Sequence, residues 1–307
     1  MERIIGRGAV PDHLRGGVVA LGNFDGFHAG HQAVVGRALA RARAEGRPAL
    51  VATFDPHPAR LFRPDAPPFA LTTIPQRLDL FEAFGIDGAV VLPFDHALAN
   101  ETAEGFAANW LAARIGAGVV VSGNDFTFGK GRTGDVAGLA RLGQVHGFAA
   151  EVVAPVSDAG GTISSSRVRE ALTNADPVTA ATLLTRPFTI RGVVEHGAKL
   201  GRQLGFPTAN IDLGAYLRPS YGVYAVRVRR ADGSLYDGVA NLGLRPMIEP
   251  PKELLEAWLF DFDGDLYDEV LDVELVAFLR PEMKLADLEA LKTQVAADAL
   301  AAKAVLG

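Results

Sequence analysis

The chain has no cysteine among its 307 residues. That excludes a disulfide framework, a thiolate zinc site and a cysteine nucleophile. Long apolar runs are missing too, and nothing approaches the roughly 18 uninterrupted apolar residues of a membrane span. Residues 1–8, Met-Glu-Arg-Ile-Ile-Gly-Arg-Gly, lack the apolar centre of a secretory leader, so the expectation is a cytoplasmic protein. Nor is there a basic surplus. The 30 basic and 36 acidic residues leave a net charge of −6, whereas a duplex nucleic-acid binder needs positive charge to neutralise phosphates. Neither nucleic acid nor a membrane is expected as a partner. A small anionic ligand fits, because a few local cations and helix N-termini suffice to hold it. What is present is a composition 49% apolar and 21% charged, ordinary for a globular chain with ample core. The length allows about two domains of ~150 residues each.

The first part alternates two periodicities. Val18–Leu21 reads as a buried strand, followed by a glycine turn and a helix over about residues 31–44. That helix puts Val34, Val35, Ala38, Leu39 and Ala42 on one stripe, and Gly46 with Pro48 ends it. Strands at 49–54, 89–92 and 119–121 alternate with helices at 76–84 and 103–114, which predicts a parallel sheet covered on both faces. The first domain is expected to be a doubly wound α/β unit. After about residue 174 the pattern changes. A short helix at 178–184 leads into apolar segments at 190–194, 223–228, 235–240, 254–262 and 270–278, separated by turns. Strands in succession without helices predict an antiparallel barrel or sandwich, and residues 285–306 read as one closing helix. The domain boundary is placed at 184/185.

Two constellations carry chemistry. Gly22-Asn23-Phe24-Asp25-Gly26-Phe27-His28-Ala29-Gly30-His31 leaves the first strand and opens the first helix. Ligands of α/β sheets sit at the carboxyl ends of strands, near a switch in strand order, and a helix N-terminus favours phosphate. His28 and His31, three apart, project to one side, with Gly30 between them allowing close approach of a ligand. Two imidazoles so placed suit the α-phosphate of a nucleotide during displacement of pyrophosphate. A capping histidine beside a surface one, or a zinc site completed by carboxylates, are the competing readings. Ile163-Ser164-Ser165-Ser166-Arg167-Val168-Arg169 enters a short helix, and its hydroxyls, amides and Arg169 suit an anion clamp or a plain serine cap. Gly123–Lys130 is not a P-loop: five residues separate its glycines, and Gly131 follows the lysine.

The second constellation, Gly192 to Asn210, holds glycines at 197, 201 and 205, with Thr208 and Asn210 two residues apart. It reads as a phosphate-cradling loop with oxygen ligands for magnesium, or as a glycine-rich barrel connection. On the strand around 254–262, alternation puts Glu256 on one face with Trp258, Phe260 and Phe262. A carboxylate there is either at a solvated strand end or a base for an attacking alcohol.

In order, Gly22–His31, residues 53–58 (Thr-Phe-Asp-Pro-His-Pro), residues 123–131 and residues 163–169 resemble the adenylyltransferase half of bacterial bifunctional riboflavin kinase/FAD synthetases. Gly192–Asn210, residues 219–224, 238–246 and 256–267, and Arg280-Pro281-Glu282 resemble the riboflavin kinase module of the same family. The resemblance implies a Rossmann-like nucleotidyltransferase domain followed by a small antiparallel barrel. It implies two ATP-dependent steps, riboflavin to FMN and FMN to FAD, with Mg2+ as cofactor and riboflavin, FMN and ATP as small-molecule partners. Homo-oligomerisation is compatible with it. Residue by residue, it assigns ATP binding for adenylyl transfer to Gly22, Asn23, Phe24, Asp25, Gly30, Ser164, Ser165 and Arg169, with His28 and His31 catalytic. Flavin binding there falls to Pro56, His57, Pro58, Asn124, Asp125, Phe126 and Phe128. In the kinase module, nucleotide binding falls to Gly197, Gly201, Arg202, Gly205, Phe206, Pro207, Thr208 and Asn210. Thr208 and Asn210 also serve the metal, and Glu256 is the base. The chain departs from the family at Met247, where threonine is usual, and at Asp268, where glycine is usual. Those departures leave room for a monofunctional adenylyltransferase or a non-catalytic flavin binder.

Overall fold

A computed structural model of the chain describes residues 1–196, 205–245 and 252–307. It packs as two compact units, Met1–Ala66 with Ile74–Ile163, and Pro67–Thr73 with Ser164–Gly307. In the first, β1 (Glu2–Ile5), β2 (Val18–Leu21), β3 (Ala49–Asp55), β4 (Gly88–Pro93), β5 (Val119–Gly123) and β6 (Ala149–Val153) form one sheet. Their order is β1-β4-β3-β2-β5-β6 and every pairing is parallel. The apolar runs of β2 and β3 are buried on both faces. Val18, Ala20, Ala49 and Val51 join one core with Val35 and Ala38 of α1 (Ala29–Glu45). Val19, Leu21, Leu50 and Ala52 join another with Phe106, Trp110 and Leu111. Truncating a fully buried leucine such as Leu50 to alanine costs about 3 kcal/mol. The doubly wound expectation holds.

Helix α1 starts at Ala29, two residues before the expected His31, because the His28 side chain caps it. Gly46, at φ 64, closes it as expected. After α1 come α2 (Pro58–Phe62), α3 (Ile74–Ala83) and α4 (His96–Ala99). The helix expected over 103–114 is a short α5 (Ala103–Gly105) continued by a π-helical run, Phe106–Ile115. Its buried residues at 106, 107, 110, 111 and 115 recur at intervals that a wider turn satisfies as well as an α-helix does. The edge strands β1 and β6 and the helix α6 (Val136–His146) are additional to the elements expected from the sequence. Edge strands are short, and neither Glu-Arg-Ile-Ile nor Ala-Ala-Glu-Val-Val has a fully buried residue. A two-residue hairpin, β7 (Ser157–Asp158) and β8 (Gly161–Thr162), completes this unit.

The second unit begins with α7 (Ser165–Thr173) and α8 (Pro177–Leu184). Six strands follow: β9 (Phe188–Glu195), β10 (Ala209–Asp212), β11 (Gly222–Arg229), β12 (Leu235–Arg245), β13 (Lys252–Leu259) and β14 (Val270–Pro281). They close into an antiparallel barrel in the order β10-β13-β12-β11-β14-β9, so the barrel rather than the sandwich is formed. On β11, Tyr224, Val226 and Val228 are fully buried on the face that fills the barrel. The alternate residues Val223 and Ala225, with Val239 and Phe260, meet Ala299, Ala302 and Leu306 of α9 (Leu288–Leu306). The closing helix therefore seals the barrel's outer face. Strand β13 stops at Leu259 rather than 262 because Asp261 takes a left-handed φ of 54, which turns Phe262 out of the row and onto Tyr236.

Candidate active sites

In the first unit the strand order reverses between β2 and β5. Chain growth from β2 runs outward through β3 and β4, then crosses to β5 on the other side. The loops after β3, β2 and β5 are thus neighbours at the carboxyl edge, and they hold the three histidine- and asparagine-bearing motifs. This is where α/β sheets bind ligands. His28, 5% exposed, accepts a hydrogen bond at Nδ1 from the His31 amide at 3.3 Å. The two imidazoles stack at 3.6 Å, and Phe24 meets His31 edge-on at 5.3 Å. His28 is therefore the cap, but His31 is no detached surface residue. A Cβ at Gly30 would lie 3.1 Å from the His28 ring and 3.2 Å from the Ile163 carbonyl, so glycine lets this close packing form. Among the described residues no group of three His, Asp or Glu gathers in a way that could hold a metal.

The rest of the loop faces inward. Phe24 and Asp25 are both 2% exposed. Arg77 of α3 donates to the Asn23 carbonyl at 2.8 Å and approaches the Asp25 carboxylate at 3.3 Å. Thr53 of β3 donates to the same carbonyl at 2.9 Å. Asn23 Oδ1 is a buried acceptor without a partner among the described residues. Arg77 does not stand out in the sequence, since an arginine on an amphipathic helix reads as a surface charge, and Thr53 opens the 53–58 motif without a role of its own.

After β3, the Asp55-Pro56 peptide is cis. His57 caps α2 by accepting from the Ala59 amide at 3.1 Å, and Pro58 takes its first position. Phe62, at the end of that helix, is 66% exposed. After β5, a turn from the Phe126 amide to the Gly123 carbonyl carries Asn124 and Asp125. Phe126 is half-buried and stacks at 5.7 Å on Phe128, which belongs to the core.

In the second unit, Ser164 caps α7 by accepting from the Arg167 amide at 3.3 Å. Arg169 donates to the Phe69 carbonyl at 2.9 Å and lies over the Phe69 ring. On the barrel, the register aligns Glu195, Asn210, Glu256 and Asn241 on four neighbouring strands, β9, β10, β13 and β12. Directly paired residues share a face, so two carboxylates and two amides stand side by side on the outside of the barrel. Asn210 is 8% exposed. Phe206 packs edge-on against Trp258 at 4.9 Å, bringing the Phe-Pro-Thr segment to the face that bears Glu256. Nearby, Glu253 holds Arg218 at 2.7 Å and accepts from the Tyr221 hydroxyl. Burial, reinforced by that carboxylate, pushes the Tyr221 hydroxyl up to about 12. Asn241 had no assigned role in the sequence reading. Gly205 keeps a left-handed φ of 88, whereas Gly197, Gly201, Arg202 and Met247 lie outside the described residues.

The comparisons with known proteins match this division. A FAD synthetase family model fits residues 10–167, and a riboflavin kinase family model fits residues 184–306. The bifunctional riboflavin kinase/FMN adenylyltransferase of Pseudomonas fluorescens is 43% identical over 296 residues, covering 96% of this chain and 94% of the relative. The chain belongs to the bifunctional riboflavin kinase/FMN adenylyltransferase family. Other members match at similar coverage. The Escherichia coli (strain K12) protein is 37% identical across 95% of this chain and 93% of its own. A crystal structure from Streptococcus pneumoniae, described as a macrolide-efflux protein, superposes with a TM-score of 0.86 at 30% identity, covering 97% of both chains. No helix among the described residues is long and apolar enough to cross a membrane. In this family's terms, the stacked histidines fall within the FAD synthetase match and the Glu256 row within the riboflavin kinase match.

Proposed function

We propose that the chain makes FAD from riboflavin in two ATP-dependent steps, and that the residues described above carry them. The single observation that carries the reading is the joint match of both family models with two separate constellations, one in each matched region. Residues 1–184 are assigned to adenylyl transfer and 185–307 to the kinase. The segment 164–184 packs with the barrel unit, yet it bears the serine–arginine motif of the adenylyl half.

For the kinase, Glu256 accepts the proton of the riboflavin 5′-hydroxyl as that oxygen attacks the γ-phosphorus of ATP, giving FMN and ADP. Mg2+, when bound, neutralises the phosphate charge. Thr208 and Asn210 would hold it, and the register that sets Asn210 beside Glu256 and Glu195 offers the hard oxygen donors magnesium prefers. The glycine-rich segment, with Gly205, Phe206 and Pro207, serves the nucleotide.

For adenylyl transfer, the FMN phosphate oxygen attacks the α-phosphorus of a second ATP and the bond to pyrophosphate breaks. His28 accepts at Nδ1 from the His31 amide. A neutral His28 ring therefore carries its proton on Nε2, a group that can donate to phosphate oxygen. His31 stacks on it, and both steady charge in the transition state. Asn23 Oδ1 offers a ligand donor a buried acceptor, Ser164, Ser165 and Arg169 take the leaving phosphates, and residues 56–58 and 124–126 take the flavin. Because it consumes ATP twice, the protein is placed in the cytoplasm.

A chromatographic time course with riboflavin, ATP and Mg2+ tests this. FMN is expected first and FAD after it, and EDTA is expected to stop both. In His28→Ala, FMN should accumulate while FAD formation drops at least about a hundredfold. In Glu256→Ala, riboflavin should remain unphosphorylated while added FMN is still converted. Wild-type FAD synthesis in His28→Ala would remove the histidine from the mechanism.

A further inference from the structure

The loop that ends at His28 is conformationally costly. Phe24 at φ 51 and Phe27 at φ 44 are both left-handed, with Gly26 at φ 84 between them. Bulky residues hold that region only when their surroundings impose it. The surroundings come largely from α3. Phe81 packs edge-on against Phe24 at 5.9 Å and Phe27 at 5.2 Å. One turn earlier on the same helix face, Arg77 grips the loop's polar side. It reaches the Asn23 carbonyl at 2.8 Å, Thr53 Oγ1 at 3.4 Å and the Asp25 carboxylate at 3.3 Å. Burying a guanidinium, here 4% exposed, is expensive unless it is paired and hydrogen-bonded. A hydrophobic residue would fill the space more cheaply, so the arginine's benefit lies in what it fixes.

We infer that Arg77 is a positioning residue for adenylyl transfer. It sets the Asn23–Asp25 backbone, and through the left-handed turn it sets the His28/His31 pair, without touching substrate. The inference rests on the histidine reading of the preceding subsection. It also gives Asp25 an inward role, as the carboxylate partner of Arg77.

The test is a double-mutant cycle on FMN adenylylation in the full-length protein, with riboflavin phosphorylation as an internal measure of intact barrel and thermal unfolding as the measure of the folded sheet unit. Arg77→Met is expected to lower kcat at least about tenfold, with a smaller change in KM for ATP. Arg77→Lys should recover part of that loss, and riboflavin phosphorylation should persist. In a His28→Ala background the Arg77→Met loss should largely vanish, because the two act as one unit. Additive losses would overturn the proposal, as would a wild-type kcat in Arg77→Met. Leu111→Ala, in the core on the opposite face of the sheet, supplies a destabilised control. An equal fall in its kcat below its unfolding temperature would also overturn the proposal, by making the effect one of stability. If Arg77→Met does not fold, Asp25→Asn decides: a reduced kcat with KM for ATP little changed supports the proposal, and an unchanged kcat or a loss confined to KM for ATP refutes it. The histidine reading fails separately, through unchanged FAD formation in His28→Ala alone.

Discussion

Asp268 shows how much one backbone angle explains. The matching family position usually holds glycine, and here the aspartate adopts φ 63 while its amide donates to the Val194 carbonyl at 3.0 Å. Aspartate is among the few side-chain-bearing residues that tolerate this region, so the departure is one the fold accommodates. Asp268→Val is expected to lose about 1–3 kcal/mol in urea unfolding, and Asp268→Gly to change little. The histidine pair was singled out by its spacing together with the strand before it, the helix after it and the glycines around it. Which ring nitrogen caps the helix was not legible, because that depends on the His31 amide closing back on Nδ1. Arg77 was illegible for a different reason: its partners lie on other elements, 24 to 54 residues away in sequence.

Among the elements, strands with two buried faces announced themselves as apolar runs, and helices with a stripe and a glycine stop did likewise. The edge strands β1 and β6, which have no fully buried residue, and the four-residue β10 did not. The row of Glu195, Asn210, Glu256 and Asn241 emerges only from strand register, which no single segment encodes. The closing helix was visible from its length, but its anchor was not. Arg280 of β14 grips Asp298 with two bonds of 2.8 and 2.7 Å, and Gln294 adds a third at 2.9 Å. The carboxylate is buried. Asp298→Ala is expected to cost about 2 kcal/mol and to speed hydrogen exchange in α9 ahead of the barrel strands. Equal protection of α9 in variant and wild type would contradict that anchoring role.

For the molecule as a whole, acid is the expected weakness. Burial raises the pKa of Asp87, Glu151, Asp212 and Glu253, but hydrogen bonds from Arg43, Arg37 with Arg41, Lys252, and Tyr221 with Arg218 outweigh it. All four are held below their ordinary values of 3.8 for aspartate and 4.5 for glutamate. A group depressed in the folded state contributes stability above its unfolded pKa and loses it as pH falls through the folded value. Thermal melts should therefore be flat from pH 7 to about 5 and fall steeply below about 4. Asp87→Asn should melt lower at pH 7 and lose less on acidification. The barrel adds a constraint of timing. Its first strand, β9, is hydrogen-bonded to its last, β14, through residues 270–275, so the ring cannot close before that stretch is made. Every strand of the parallel sheet lies before residue 154. On the ribosome, the half that consumes FMN has all its strands before the half that produces it has its first, so the order of synthesis runs opposite to the order of the chemistry.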